Sequence, residues 1–343
     1  MSSYKFIHTA DIHLKNINDD VYETFVKIIS MAKKDNIDFL LIAGDLFDSA
    51  HPDKTLVNKV KELFELIRSC RIFIAPGNHD PLVFNSPYLS EKWPDNVIIF
   101  KERLSFVTLG NIRFYGRAFA SHFEEDGLLA RISLDGSYTN ILVMHGDVAA
   151  RSMYNPIPKT LLDEIGFDYC ALGHIHKPMS NNSYTFPGSP EAKGFDEHGT
   201  LGIVLGHIEN GVVSTKFYPT SKKRYVIKEL DISNLKTHDA ILNRINEECG
   251  SSKDHYRVIL KGSVEASPDT KVLESFLSPY YTHMEIIDKT VMSMDFEKLK
   301  KENTLKGIFL RNMLDKMKLE PGNLILSESL MLGLKAFDED IEV

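Results

Sequence analysis

Residues 168–178 read DYCALGHIHKP: a short apolar run, then two histidines one residue apart, closed by a proline. In extended backbone His174 and His176 point the same way, because strand side chains repeat every second residue. A shared direction suits one ligand gripped by two nitrogens, and neutral imidazole is the commonest protein donor to first-row metal ions. The pair alone is weak evidence, since a chain with 13 histidines will often place two of them this close. Solvated loop histidines are the plain alternative, and the surrounding sequence has to decide.

YKFIH (4–8), FLLIAG (39–44), RIFIAPG (71–77), NILVMHG (140–146) and DYCALGH (168–174) read as buried strands, apolar on both faces. Between them, Val21, Phe25, Ile28, Ile29 and Ala32 follow an Asp19–Asp20 start at helical spacing. Leu56, Val60, Leu63, Phe64 and Ile67 repeat the pattern. The alternation predicts α/β architecture. LSFVTLGNIRFYGRAF (104–119), YTFPGS (184–189) and GTLGIVLGHIENGVVSTKFYP (199–219) are hairpin-like and predict a second sheet packed on the first. Nearly every strand end carries a metal-competent side chain: Asp11 and His13, then Asp45 and Asp48, then Asn78, His79 and Asp80, then His145, then His174 and His176. Ligands of open α/β sheets gather at the carboxyl ends of strands, so these five loops should converge. Polar residues that merely end strands would have to produce this series by accident.

The 343 residues suit about two domains. No apolar run approaches the ~20 residues that cross a bilayer, and the N-terminus MSSYKFIHTAD lacks the apolar core of a signal peptide. Cys70, Cys170 and Cys249 stand far apart among predicted core residues, which reads as reduced structural thiols in a cytoplasmic protein. The net charge of −8 is unevenly spread: residues 1–230 carry 25 Lys and Arg against 28 Asp and Glu, and residues 231–343 carry 15 against 20. The end DEDIE (338–342) supplies four of the acidic groups. Two divalent cations would offset the deficit of the first region. Acidity therefore does not exclude DNA, although no broad basic field advertises it.

Near SKKRYVIKELDIS (221–233) a basic cluster meets a new strand. A helix (234–249), a strand (255–264), a short helix (270–278) and a strand (282–289) follow, a small α/β unit without a chemical motif. After 295 the pattern is helical through Leu305, Ile308, Phe309, Met313 and Met317, with EPG (320–322) as a breaker before 324–337.

DxH, GDxxD, GNHD, an isolated histidine and GHxH, in this order over about residues 5–220, resemble the calcineurin-like metallophosphoesterases. FIHTADIHL, GDLFD and the PGS at 187–189 look most like the SbcD-type nuclease subunits, bacterial relatives of the eukaryotic and archaeal double-strand-break repair nuclease. The resemblance implies a double-sheet sandwich flanked by helices (1–222), a small α/β capping domain (223–292) and a C-terminal helical segment (293–343) that docks on a partner or packs on the chain's own cap. It assigns one metal to Asp11, His13, Asp45 and His176, and a second to Asp45, Asn78, His145 and His174, with Asp45 shared. A mixed nitrogen and oxygen set without thiolate fits Mn²⁺ best, with Fe²⁺, Zn²⁺ or Mg²⁺ as alternatives. Two such ions can polarise a phosphodiester and stabilise its leaving oxygen.

Under the same resemblance His79 is the general acid rather than a ligand. Asp48 departs from the eukaryotic and archaeal relatives, which carry a histidine there. It is expected to partner His79, raising its pKa, with a solvated loop carboxylate as the other reading. Lys222, Lys223 and Arg224 are expected to track DNA phosphates or to form a solvated linker. The implied function is a two-metal phosphodiesterase on DNA, an exonuclease subunit working with an SbcC-type ATPase. A homodimer is expected through apolar helices at 54–70 and 82–93. The alternatives are a phosphatase or small-nucleotide phosphodiesterase, and a non-catalytic scaffold on the same fold.

Overall fold

The computed structural model describes residues 3–292 and 296–337, so the acidic end at 338–342 lies outside the described residues. The first half runs β1 (Ser3–Thr9), α1 (Asp20–Lys34), β2 (Phe39–Ile42), α2 (Lys54–Glu65), β3 (Arg71–Ile74), α3 (Pro87–Ser90) and β4 (Val97–Ile99). It continues with β5 (Ser105–Leu109), β6 (Ile112–Arg117), β7 (Thr139–His145), α4 (Lys159–Ile165) and β8 (Tyr169–Gly173). Then come β9 (Met179–Ser180), β10 (Thr185–Phe186), β11 (Gly202–Glu209) and β12 (Val212–Pro219).

These strands form two six-stranded mixed sheets, ordered β12-β11-β1-β2-β3-β4 and β5-β6-β7-β8-β10-β9. The strands β1 to β4 are parallel to one another, as are β6, β7 and β8. Alternation divides the apolar residues. Phe39 and Leu41 of β2 join Phe6, Phe73, Phe114, Ile141 and Val143 in a cluster drawn from both sheets, with Phe73 and Phe114 stacked at 4.1 Å. Leu40 and Ile42 face the other way, onto Phe25 and Ile28 of α1 and Val60 and Phe64 of α2. Both helices start where an aspartate accepts a backbone N–H: Asp19 from Tyr22 at 2.8 Å, and Asp53 from Thr55 at 2.7 Å. The expected α/β double-sheet fold is therefore present.

Two expectations need correction. The hairpin at 199–219 joins the first sheet, not the second, because β11 pairs antiparallel with β1 from Ser3↔Glu209 to His8↔Val204. The helix expected at 82–93 is reduced to the single turn α3. Pro81 and Pro87 break the pattern, and Asn85 sits at φ 60° between them. In the 54–70 stretch, expected to help form a dimer, Phe64 and Ile67 are core residues, and Leu63 packs against the same cluster.

The chain divides into two compact units. The first runs through Ile227 and regains Ser251–Arg257 and Tyr281–His283. The second holds Lys228–Gly250, Val258–Tyr280 and the chain from Met284 onward. The later elements are β13 (Tyr225–Asp231), α5 (His238–Glu248), β14 (His255–Lys261), β15 (Ser263–Val264), α6 (Thr270–Leu277), β16 (His283–Asp288) and β17 (Val291–Met292), then α7 (Phe296–Leu299), α8 (Leu305–Leu319) and α9 (Leu324–Ala336). β13, β14 and β16 make one small sheet, and Leu310, Met313, Leu330 and Leu334 bury the contact of α8 with α9. The C-terminal helices fall in the second unit. No helix among the described residues is long and apolar enough to cross a membrane. All three cysteines are free and buried, and burial pushes the Cys70 thiol up to about 12.

Candidate metal centre

The carboxyl ends of β1, β2, β3, β7 and β8 bring together all seven side chains expected to hold metal. The backbone zips these loops to one another: His13 N–H donates to the Asp45 carbonyl at 2.9 Å, and Asp11 N–H to that of Gly44 at 3.2 Å. Asp11, His13, Asp45 and His174 all have positive φ (52°, 54°, 51° and 108°), backbone that non-glycine residues adopt only at a cost. Such strain gathers at functional sites and persists where surrounding contacts over-determine it. Gly77 serves the same closeness, since a Cβ there would overlap the Asp45 carboxylate.

On one side of the centre, His13 Nε2 and His176 Nε2 face each other at 3.3 Å. Asp45 Oδ2 lies 3.7 Å from the former, and Asp11 Oδ1 3.9 Å from the latter. On the other side, His145 Nε2 lies 3.3 Å from Asp45 Oδ2 and 3.0 Å from Asn78 Oδ1, while the His174 ring is 5.3 Å from that of His145. Donors around one cation at bond lengths of about 2.1 Å stand roughly 3–3.5 Å apart, so these spacings suit the expected ions. Two imidazole nitrogens aimed at each other have no other attractive arrangement unless one carries a proton. The residues fit a two-metal site.

Charge in the centre is tightly linked. Burial alone would lower the His145 pKa, but the Asp45 charge and hydrogen bond hold it up at about 9. Burial would raise Asp45, and the charges of His145, His13 and His79 pull it below the ordinary carboxylate range. Burial, with the neighbouring His145, lowers His174 to about 4. The His145 Nδ1–H donates to the Ala43 carbonyl at 2.8 Å, which turns Nε2 inward.

Asp48 meets His13 as well as standing close to the expected His79. Its Oδ1 lies 3.1 Å from His13 Nδ1, and its Oδ2 pairs with Lys15 at 2.9 Å. It therefore backs a candidate metal donor, while its charge and its backbone carbonyl also act on His79, both in the direction that raises that ring's pKa. The His79 pKa is lowered: partial desolvation of its ring where it meets the centre dominates, and the charges of Asp45 and Asp48 and the Asp48 backbone carbonyl oppose it. His79 itself is exposed at the rim, its backbone N–H fixed to Asp45 Oδ1 at 2.9 Å and its ring edge-on to His13 at 4.6 Å. A cavity of about 440 Å³ opens beside it, lined by His51, His122, Phe123 and Tyr154.

Asp80, the last residue of GNHD, is a turn-holder. Buried, it accepts from the backbone of Gly77 (2.8 Å) and Phe47 (3.0 Å) and from the Tyr88 hydroxyl (2.6 Å). The basic cluster is also otherwise engaged. Lys222 pairs with Asp20 and Glu23, Lys223 with Asp20, and Arg224 Nε donates to Asp254 at 3.1 Å. The backbone N–H groups of Lys222 and Lys223 cap the buried Glu191. That stretch is a pinned linker whose three cationic side chains already have carboxylate partners.

Two contributors escaped the sequence reading. Glu197, 2% exposed, accepts from His176 Nδ1 at 2.6 Å, and burial is outweighed by His176 and Lys193 so that its pKa falls to about 2. Asn155, fully buried, donates to the His145 carbonyl at 2.6 Å. Only the fold reveals these contacts, since a carboxylate in GFDEHG (194–199) looks like any solvated turn.

Comparison with known proteins agrees with this geometry. The chain is 28% identical over 279 residues (72% of this chain, 68% of the relative) to the uncharacterized metallophosphoesterase YhaO of Bacillus subtilis. It is 24% identical over 298 residues (74% and 78%) to the SbcD component of the nuclease SbcCD of Staphylococcus saprophyticus. It is 25% identical over 295 residues (76% and 74%) to the DNA double-strand break repair protein Mre11 of Sulfurisphaera tokodaii. The family model for calcineurin-like phosphoesterases matches residues 4–178, the stretch from β1 to just past His176, and the chain belongs to that family.

Proposed function

We propose that this metallophosphoesterase is a phosphodiesterase that hydrolyses DNA, as the exonuclease subunit beside an SbcC-type ATPase. The observation that carries the reading is the extent of the likeness. Similarity to two relatives named for nuclease or break-repair roles covers about three quarters of the chain, well beyond the shared phosphoesterase segment. Asp11, His13, Asp45 and His176 would hold one divalent cation, and Asp45, Asn78, His145 and His174 the other, with Mn²⁺ the best fit to these donors. When bound, the pair supplies Lewis-acid stabilisation of charge on the phosphoryl oxygens.

The chain's own residues do the rest. His79 stands outside the donor set, at the mouth of the open cavity, where its ring can give a proton to the departing sugar oxygen. The negative charge of a bound phosphodiester raises the imidazole pKa and so favours the protonated form that this step needs. Asp45 fixes the His79 backbone, and with it the ring's starting position.

The test is incubation of the pure protein and Mn²⁺ with end-labelled DNA, and in parallel with p-nitrophenyl phosphate and bis-p-nitrophenyl phosphate. DNA and the bis-ester should be cut and the monoester should lag. His79→Ala should keep its Mn²⁺ while losing roughly 10²–10⁴-fold on DNA. The loss should be far smaller on the bis-ester, whose leaving group needs no proton. Faster turnover of the monoester would make the protein a phosphatase. Inertness toward all three with two ions bound would make it a scaffold.

A further inference from the structure

The metal-facing nitrogen of a histidine is set by what its other nitrogen does. His145 rests on a neutral backbone carbonyl, but His176 rests on a buried carboxylate that is itself fully engaged. Glu197 Oε1 takes the His176 Nδ1–H at 2.6 Å and a hydroxyl from Ser189 at 3.1 Å, and Oε2 takes the Lys193 backbone N–H at 2.8 Å. Glu197 closes the short 3₁₀ turn Phe195–Glu197. The other end of that turn is clamped: the Phe195 ring packs on Tyr225 (5.0 Å) and His283 (5.9 Å), and the Arg257 guanidinium lies over it at 4.2 Å. All of these residues belong to the first compact unit.

We infer that Glu197 is a positioning residue for the metal centre, holding the His176 ring with its Nε2 turned inward, and that the clamp on Phe195 sets where Glu197 stands. The inference rests on the two-cation reading of the centre. A carboxylate in this place fixes the tautomer, restricts ring rotation and raises the donor strength of Nε2. Glu197 touches neither substrate nor metal, so its influence passes wholly through His176. Phe195 acts one step further out, by aligning the turn.

The experiment is a stepwise Mn²⁺ titration of the metal-free full chain by calorimetry, with thermal melting of each metal-free variant as a check on the fold. Wild type should show two binding events, one of them abolished by His13→Ala. Glu197→Ala should weaken that same event by about 10–100-fold and leave the other nearly unchanged. Glu197→Gln, which keeps the acceptor and loses the charge, should recover much of the loss. Phe195→Ala should weaken the same event by less than Glu197→Ala does. Equal weakening of both events, no weakening of either, or loss of the fold in both Glu197 variants would overturn the inference. A normal titration in a protein that leaves DNA intact would instead sink only the proposed substrate. A wild type that binds a single ion would sink the two-cation reading itself.

Discussion

His8 shows what a single buried ring contributes when it is not part of the chemistry. It lies wholly inside, with Nδ1 accepting from the Tyr169 hydroxyl at 2.9 Å and Nε2 donating to the Leu172 carbonyl at 3.2 Å. The neutral ring satisfies both partners, and burial lowers its pKa to about 3 against a slight upward pull from Leu172. The unfolded chain therefore binds a proton below about 6.5 that the folded chain refuses. Stability from this group is fully present above that pH and drains away as pH falls toward 3, by up to about 1.4 kcal/mol per pH unit. Urea denaturation in chelator at several pH values between 7.5 and 5 should give a shallower pH dependence in His8→Gln than in wild type. Identical slopes would mean that another group carries the acid sensitivity. The candidate donors were legible because Asp, Asn and His at strand ends are conspicuous. The partners of Asp48 were not, because sequence cannot say which of two nearby imidazoles a carboxylate will meet. Glu197 was hidden for a simpler reason: its contact with His176 spans 21 positions and belongs to no motif.

At the scale of elements, the parallel strands were readable because they are apolar on both faces and end in Gly or polar punctuation. The hairpin of β11 and β12 was readable as a hairpin, yet nothing in its pattern names the sheet edge it will pair with. The turn α3 falls short of the longer helix its apolar residues suggest, and its actual task is local. Tyr88, on α3, gives Asp80 the third of its hydrogen bonds, and Asp80 shapes the loop that presents Asn78 and His79. Tyr88→Phe should cost about 1.5–3 kcal/mol of stability, the worth of a hydrogen bond to a charged group. It should also slow phosphoester hydrolysis without abolishing Mn²⁺ binding. Denaturant midpoints and a parallel metal titration measure both. A variant as stable as wild type would mean that water replaces the hydroxyl.

At the scale of the whole molecule, the proposed homodimer has to be reconsidered in its details. Phe64 and Ile67 are inside, so the apolar side chains that these two stretches leave exposed for a second copy are Leu66, Phe84 and Leu89, at 55%, 86% and 50%. Light scattering should give twice the chain mass, and Phe84→Asp should shift it to the monomer without loss of Mn²⁺ binding. A wild-type monomer at tens of micromolar would end the proposal. The first unit first ends at Ile227, and sequence could not show that the chain comes back to it. Two short returns, Ser251–Arg257 and Tyr281–His283, carry Asp254 to Arg224 and Arg257 and His283 to Phe195. The first compact unit is therefore not a contiguous stretch of sequence. A gene fragment ending after Ile227 would encode every candidate metal donor, yet it would free Phe195 from two of its three holders, and the protein made from it would inherit the donors without the contacts inferred to align them.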